Sequence, residues 1–205
     1  MTISGIVLCG GQSRRMGMDK AALPFGDETL LQRAVRVAGT VAGKVIIVAR
    51  GDQELIREDF RGVPVRIVHD AVADQGPLAG LAAGLSASAT GISIVIACDM
   101  PLIRTAVLQR LIDELGEADA CVAVVDGRPS PLCAVYRSAV AGAATELLAG
   151  GERRVTALLD RVQTKRVDAA VFRDIDPDLD SFASCNTPDA YRQALVRLKA
   201  DTTSA

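Results

Sequence analysis

Hydrophobic residues along the first half of the chain fall into short continuous runs separated by longer stretches with helical spacing. The runs that predict strands are residues 6–8, 44–49, 65–68 and 92–97. The β-branched run from Val45 to Val48 is typical of a parallel strand that is covered on both faces. The stretches that predict helices are residues 29–41, 78–89 and 104–115.

The second half of the chain continues this alternation. Strands are predicted at residues 120–125, 132–136 and 164–171, with a turn at 126–131, and helices at 138–148, 154–162 and 188–200. Thr187 is expected to cap the last helix, with Pro188 at its first position. We therefore expect a single domain over residues 1–200 and a frayed polar tail over 201–205.

Strands that alternate with helices predict an α/β fold with a mostly parallel central sheet and helices on both faces. Ligands of such sheets bind beyond the carboxyl ends of the strands. The loops after Leu8, Val68 and Ala97 are therefore the ones expected to carry function.

Composition narrows the classes of partner. The 205 residues are 49% hydrophobic with a net charge of −2, so nothing electrostatic favours nucleic acid or a membrane surface. No apolar run reaches the ~18 residues of a membrane span, and the N-terminus lacks the basic segment of a signal peptide. The five cysteines are odd in number and form no C-x-x-C pair, which favours a reduced, cytoplasmic protein.

The loop after the first strand combines glycines with cations. Gly10 and Gly11 allow backbone N–H groups to approach an anion closely, and Arg14, Arg15 and Lys20 add positive charge. A polyphosphate needs both features. The spacing fits neither G-x-x-x-x-G-K-[ST] nor G-x-G-x-x-G, so a P-loop ATPase and a standard dinucleotide-binding protein are disfavoured.

Two aspartates follow later strands. Asp99 after residues 92–97 is well placed to hold Mg²⁺, although a turn or helix-capping aspartate is an equal alternative on spacing alone. Asp70 follows residues 65–68, and we expect the two carboxylates on neighbouring strand ends. His69, the single histidine, is expected to be a partner-satisfied side chain beside the site rather than a general base.

The N-terminal stretch from Leu8 to Lys20 resembles the motif L-[AC]-G-G-x-S-x-R-M-G-x-[DN]-K of the NTP-transferase superfamily, most closely that of the molybdenum cofactor guanylyltransferases. The segments Cys98-Asp99-Met100-Pro101 and Gly76-Pro77-Leu78-Ala79-Gly80 resemble further motifs of that family. The resemblance implies a three-layer, Rossmann-like nucleotidyltransferase fold. It implies catalysis by Lys20, Arg15 and Asp99, with Mg²⁺ held by Asp99. The nucleotide-binding residues that it implies are Leu8, Cys9, Gly10, Gly11, Lys20, Asp70, Pro77, Leu78, Gly80 and Asp99.

The second half resembles the family more thinly. Gly150-Gly151-Glu152-Arg153-Arg154 matches a G-E-R-[RK] turn, and Asn186-Thr187-Pro188 matches an N-T-P segment. Arg153, Arg154 and Asn186 are therefore candidates for binding the acceptor substrate; the alternatives are solvated arginines in a helix-start turn and an asparagine that serves a loop. Ser130, Ser184 and Val48 stand where the family usually has other residues.

The activity that the resemblance implies is transfer of GMP from GTP to the terminal phosphate of molybdopterin carrying molybdenum, with release of pyrophosphate. Transient contact with cofactor-biosynthesis proteins or molybdoenzyme chaperones is expected, with a monomer or weak homo-oligomer in the cytoplasm. One alternative is a related transferase that uses CTP on the same cofactor, or acts on a sugar phosphate or other metabolite. The other is a nucleotide-binding sensor or assembly factor without turnover.

Overall fold

The structure, a computed structural model, describes residues 2–9, 19–51, 53, 55, 59–70 and 76–203, with side chains up to Lys199. Its central sheet has seven strands: β1 (Ile3–Leu8), β4 (Lys44–Ala49), β5 (Val65–His69), β6 (Ile92–Ala97), β7 (Ala120–Val125), β8 (Arg128–Arg137) and β9 (Thr164–Asp168). Two further strands, β2 (Pro24–Phe25) and β3 (Glu28–Thr29), form a small antiparallel hairpin.

The order of strands across the sheet is β5-β4-β1-β6-β8-β7-β9. All neighbouring pairs are parallel except those that involve β8, which runs antiparallel to both β6 and β7. The prediction of a mostly parallel sheet is therefore confirmed, and the carboxyl ends of β5, β4, β1 and β6 share one edge.

Six α-helices surround the sheet in the part of the chain that the structure describes: α1 (Leu30–Val41), α2 (Gly76–Ala87), α3 (Thr105–Glu114), α4 (Val140–Ala149), α5 (Val155–Arg161) and α6 (Pro188–Thr203). One apolar layer packs α1 and α3 against the sheet, and a second packs α2, α4 and α5 against the opposite face. A smaller cluster joins α6 to the hairpin through Phe25, Leu30 and Ala194. The expected three layers are present.

Side chains of the central strands alternate between the two apolar layers. In β1, Val7 enters the layer with α1 and α3, whereas Ile6 and Leu8 enter the layer with α2. Both directions are buried, which is why these strands read as continuous apolar runs rather than as alternating ones. No helix within the described residues has the length and apolar character needed to cross a membrane.

Several predicted boundaries differ from the structure. β8 begins at Arg128, inside the predicted turn, although Pro129 and Pro131 signal a break. Proline is tolerated there because β6 pairs only with the later part of β8, from Cys133 onward. The late strand ends at Asp168, and Ala169–Phe172 form a 3-10 turn. Helix α6 continues to Thr203, three residues into the segment that was expected to fray; residues 204 and 205 lie outside the described residues.

Candidate active site

A cleft opens at the carboxyl ends of β4, β1 and β6. Apolar side chains line most of it, and Lys20, Asp70 and Asp99 supply the charge. The described residues that line the cleft are Leu8, Cys9, Lys20, Val48, Asp70, Gly76, Pro77, Gly80, Ala97, Cys98, Asp99 and Leu132. The cleft therefore lies where ligands bind to parallel sheets, beyond the ends of the central strands.

Lys20 and Asp99 form an ion pair at one end of this cleft. Lys20 opens a 3-10 turn, Lys20–Ala22, and Asp99 directly follows β6. Their Nζ and Oδ2 atoms are 2.9 Å apart, and the two side chains are only 14% and 17% exposed. Lys20 Nζ also donates to Asn186 Oδ1 at 2.6 Å, although 166 positions separate the two residues in sequence. A cation, a carboxylate and an amide thus meet at one point.

Backbone hydrogen bonds hold the Asp99 loop in place on two sides. The Cys98 N–H donates to the Leu8 carbonyl at 3.0 Å, and the Cys185 N–H donates to the Asp99 carbonyl at 2.7 Å. Burial raises the pKa of the Cys185 thiol to about 11, and the Asp99 carboxylate acts in the same direction. Cys185 is therefore neutral at physiological pH, and its contribution to the site comes through its backbone.

Asp70 borders the opposite end of the cleft. Its N–H donates to the Ala49 carbonyl at 3.0 Å, which fixes the residue just past β5. The expectation that Asp70 and Asp99 lie on neighbouring strand ends is wrong, because β4 and β1 separate β5 from β6. Three strand spacings amount to about 14 Å. Asp70 and Asp99 therefore line the cleft from strand ends that are not adjacent.

The first turn of α2 forms one wall of the cleft. Gly76 begins the helix with a φ of 73°, which favours glycine, and Pro77 and Gly80 line the cleft with it. Leu78 does not line it: its side chain is fully buried in the apolar layer beneath α2. As a side-chain ligand, Leu78 is therefore not supported, because the turn of the helix directs it into the core.

A family model described as the MobA-like NTP transferase domain matches residues 5–170. The chain belongs to the MobA-like NTP transferase family. It is thus a nucleotidyltransferase, as the glycine and lysine motif predicted. The match includes most of β1, the Lys20 turn, Asp70 and Asp99, but it stops before Asn186.

Two relatives and one solved structure support the same assignment. A protein of Mycobacterium tuberculosis (strain ATCC 25618 / H37Rv) named "Probable molybdenum cofactor guanylyltransferase" is 34% identical over 192 residues, 91% of this chain and 92% of that protein. A protein of Mycobacterium avium (strain 104) with the same name is 34% identical over 206 residues, 98% of each chain. The crystal structure of molybdopterin-guanine dinucleotide biosynthesis protein A from Archaeoglobus fulgidus has a TM-score of 0.80 at 26% identity, covering 96% of this chain and 99% of that one.

Among the acceptor candidates of this MobA-like transferase, Asn186 lies at the site and Arg154 lies away from the cleft lining. Arg154 donates to Glu152, with Nη2 and Oε2 2.7 Å apart, and its side chain is 75% exposed. Hydrogen bonds from the Arg154 side chain and from the backbone lower the pKa of Glu152 to about 2. The Arg153 carbonyl lies only 3.2 Å from where a Cβ on Gly76 would stand. The turn therefore packs against the start of α2, so the Arg153 backbone lies beside the cleft wall. The exposed Arg154 side chain is instead held by Glu152, which favours the solvated-arginine interpretation for Arg154 alone.

Some predicted site residues fall outside the described residues, and some residues that line the cleft were not predicted from the sequence. Gly10, Gly11 and Arg15 fall outside the described residues, so their predicted roles remain predictions. The sequence missed Ala97, Cys98 and Leu132 as lining residues. Leu132 reaches the cleft because β8 runs past β6, and no local pattern signals that overlap. The His69 Nδ1–H donates to the Arg50 carbonyl at 3.0 Å, so the side chain has the partner that was expected for a residue beside the site.

Proposed function

We propose that this nucleotidyltransferase transfers GMP from GTP to the terminal phosphate of molybdopterin carrying molybdenum, releasing pyrophosphate. Two relatives at 34% identity over nearly their whole length carry the name of that activity, which supports the proposal. The arrangement that carries it is the Lys20–Asp99 ion pair at one end of a mostly apolar cleft. An apolar cleft suits a nucleobase, and a charged end suits a triphosphate.

The two ends of the cleft suggest how GTP is oriented. Val48, Pro77 and Gly80 give the Asp70 end an apolar surface, which suits the nucleoside. Lys20 at the other end offers an ammonium group that offsets the charge of the phosphates. Asp70 is proposed to contact the nucleoside, because it follows β5, three strands away from the strand that carries Asp99.

Asp99 fits a role as ligand of Mg²⁺. Lys20 contacts one of its carboxylate oxygens, Oδ2, so the second oxygen can take a cation. Mg²⁺ is commonly held by one or two carboxylates together with substrate phosphates and water. Within the described residues, no three His, Cys, Asp or Glu side chains form a dedicated metal cluster, which agrees with a cation that arrives with the triphosphate. When bound, Mg²⁺ would offset negative charge that develops around the α-phosphate.

The reaction needs positioning more than proton transfer. An oxygen of the acceptor's terminal phosphate attacks the α-phosphorus of GTP, and the bond from that phosphorus to the pyrophosphate oxygen breaks. The acceptor phosphate is already anionic at neutral pH, so no strong general base is required. Lys20 would stabilise the departing pyrophosphate, and Asn186 would orient Lys20 or the acceptor from the other side.

Pyrophosphate release with GTP and molybdenum-loaded molybdopterin tests the proposal. Lys20→Ala is expected to raise the barrier by about 2–4 kcal/mol, because it removes a contact to developing charge. Asp99→Ala is expected to abolish transfer in a folded protein. Lys165→Ala is the matched control, since Lys165 forms an exposed ion pair with Glu114 at 2.8 Å on the far strand β9.

Comparison of GTP with CTP distinguishes the proposal from its nearest rival. GTP with Mg²⁺ should stabilise the protein against heat more than CTP does, and only GTP should support rapid turnover. A preference for CTP would reassign the chain to cytidylyl transfer, and GTP binding without pyrophosphate release would favour a sensor. A cytoplasmic location, a monomer or weak homo-oligomer, and contact with cofactor-biosynthesis proteins stay predictions.

A further inference from the structure

We propose that Gln53 is a positioning residue for transfer: through Asp19 it fixes the turn from which Lys20 reaches the charged end of the cleft. The inference rests on the proposed function, because it assumes that Lys20 contacts the triphosphate. Gln53 lies in the connection after β4, far from Lys20 in sequence, and its side chain is not part of the cleft lining.

The side-chain amide of Gln53 is buried and used at both of its polar atoms. The residue is only 7% exposed. Its Nε2 donates to Asp19 Oδ2 at 2.7 Å, and its Oε1 accepts the Arg50 N–H at 3.2 Å. The Gln53 N–H also donates to the Arg50 carbonyl at 3.0 Å. Because both the backbone and the amide oxygen are held by Arg50, the amide nitrogen has a fixed direction, and that direction is toward Asp19.

Asp19 transmits this position to Lys20. One carboxylate oxygen, Oδ2, accepts from Gln53, while Oδ1 accepts the Ala21 N–H at 3.0 Å and caps the 3-10 turn Lys20–Ala22. Rotation of the Asp19 carboxylate would therefore disturb the turn in which Lys20 is the first residue. Lys20 in turn must keep its ammonium within 2.9 Å of Asp99 Oδ2 and 2.6 Å of Asn186 Oδ1.

The same strand end anchors both flanks of the segment 10–18. Before the segment, the Cys9 N–H donates to the Val48 carbonyl of β4 at 2.9 Å. After the segment, Asp19 is tied to Gln53, four residues past the end of β4. The residues on both sides of segment 10–18, Cys9 and Asp19, are thus held by β4 and by the connection that follows it. Gln53 holds Asp19, and loss of the Gln53 side chain would leave the turn that begins at Lys20 without this support.

A reciprocal exchange of the two side chains tests the inference. Gln53→Glu places a carboxylate against the Asp19 carboxylate, and Asp19→Asn turns an amide donor toward the Gln53 amide donor, so each single change is mismatched. The double variant Asp19→Asn with Gln53→Glu restores one donor and one acceptor. Misplacement of a catalytic group by ~1 Å costs on the order of 10²-fold in rate, so each single variant should lose about that much in kcat/KM for GTP.

The readouts separate positioning from simple stability. Each variant is checked for folding by circular dichroism, and kcat and KM are measured separately for GTP and for the acceptor. The single changes should lower kcat and raise KM for GTP while leaving KM for the acceptor near its original value, and the double variant should recover most of the loss. Gln109→Glu is the matched control, since Gln109 Nε2 donates to Asp113 Oδ1 at 2.9 Å on the exposed surface of α3.

Folded single variants with unchanged kcat/KM, or a folded double variant as slow as the worse single one, would overturn the inference. If a single variant does not fold, the double variant and Gln53→Leu, which removes the hydrogen bonds without adding charge, decide the matter by the same kinetic comparison. Failure of the proposed function is a separate outcome, because the unaltered protein would then release no pyrophosphate from GTP in the presence of the acceptor.

Discussion

Two glycines on α2 should respond oppositely to the same substitution. A Cβ on Gly84 would lie 2.6 Å from Ile6 Cγ2 and 3.1 Å from Val48 Cγ2, on stiff, β-branched and fully packed side chains. A Cβ on Gly80 would meet Leu8 and Val48 at ordinary distances of 3.6 and 3.8 Å. Overpacking of a core costs about 1–3 kcal/mol, and alanine gains up to ~1 kcal/mol over glycine inside a helix. Gly84→Ala should therefore destabilise by about 1 kcal/mol, whereas Gly80→Ala should be neutral or stabilising.

Urea unfolding and GTP titration together measure the two effects. The helix contribution cancels between the two variants, so their difference should be about 2 kcal/mol, or roughly 4–8 °C in melting temperature. Gly80→Ala nonetheless adds a methyl group to the cleft wall and should weaken GTP binding about tenfold, equivalent to ~1.4 kcal/mol. Gly142→Ala on α4, where a Cβ meets nothing within 4 Å, gives the helix contribution alone. Equal stability of the Gly84 and Gly142 variants would refute the packing argument, and unchanged GTP affinity of the Gly80 variant would refute the placement of the nucleoside.

Two other predictions concern acid stability and the acceptor loop. Burial raises the pKa of Glu28, but hydrogen bonds and charge from Arg36 and Arg33 together outweigh it and leave the pKa below its ordinary value of 4.5. The stability that ionised Glu28 contributes is thus present above about pH 4.5 and is lost as the pH falls through the lowered pKa. Glu28→Gln should therefore flatten the acid side of a plot of melting temperature against pH. An unchanged slope would contradict this prediction. For the acceptor loop, Asn186→Ala should lower kcat at least tenfold because it removes a hydrogen-bond partner of Lys20. Arg154→Ala should leave kcat and both KM values near normal, because Glu152 already binds the Arg154 guanidinium. A loss of rate in the Arg154 variant would restore the role of Arg154 as an acceptor ligand.

The strands buried on both faces were the easiest part of the fold to predict. The predicted bounds of β4, β6 and β7 coincide with the structure, because two-sided burial demands an uninterrupted apolar run. The hairpin of β2 and β3 escaped prediction, because each of its strands has only two residues and no pattern can accumulate. The early part of β8 was hidden by Pro129 and Pro131, whose local signal is that of a turn.

The candidate site could be predicted where the type of a residue and its position next to a strand or glycine loop together indicate its role. Lys20 could be found as a cation that follows glycines in sequence, and Asp99 as a carboxylate that follows a buried strand. The structure brings Lys20 Nζ within 2.9 Å of Asp99 Oδ2. The order of strands is a long-range property, so the separation of Asp70 from Asp99 could not be deduced from the loops that carry them. Gln53 was likewise invisible, because its importance lies in a hydrogen bond to a residue 34 positions earlier.

The loop before α6 contacts both members of the Lys20–Asp99 pair, and under the proposed function it would link acceptor recognition to the phosphates of GTP. Asn186 binds Lys20 through Oδ1, and its Nδ2 donates to Ser184 Oγ at 2.6 Å, so the amide is oriented by the residue that departs from the family pattern. Between them, the Cys185 N–H donates to the Asp99 carbonyl. A change in this loop that improved contact with another acceptor would therefore move the Lys20 partner and the support of Asp99 at once. At the other end of the cleft, the Asp70 N–H donates to the Ala49 carbonyl of β4, so β4 holds Asp70 there as well as the Cys9 backbone through Val48. It follows that a change of acceptor preference made in the loop before α6 is expected to alter the rate of the chemical step as well.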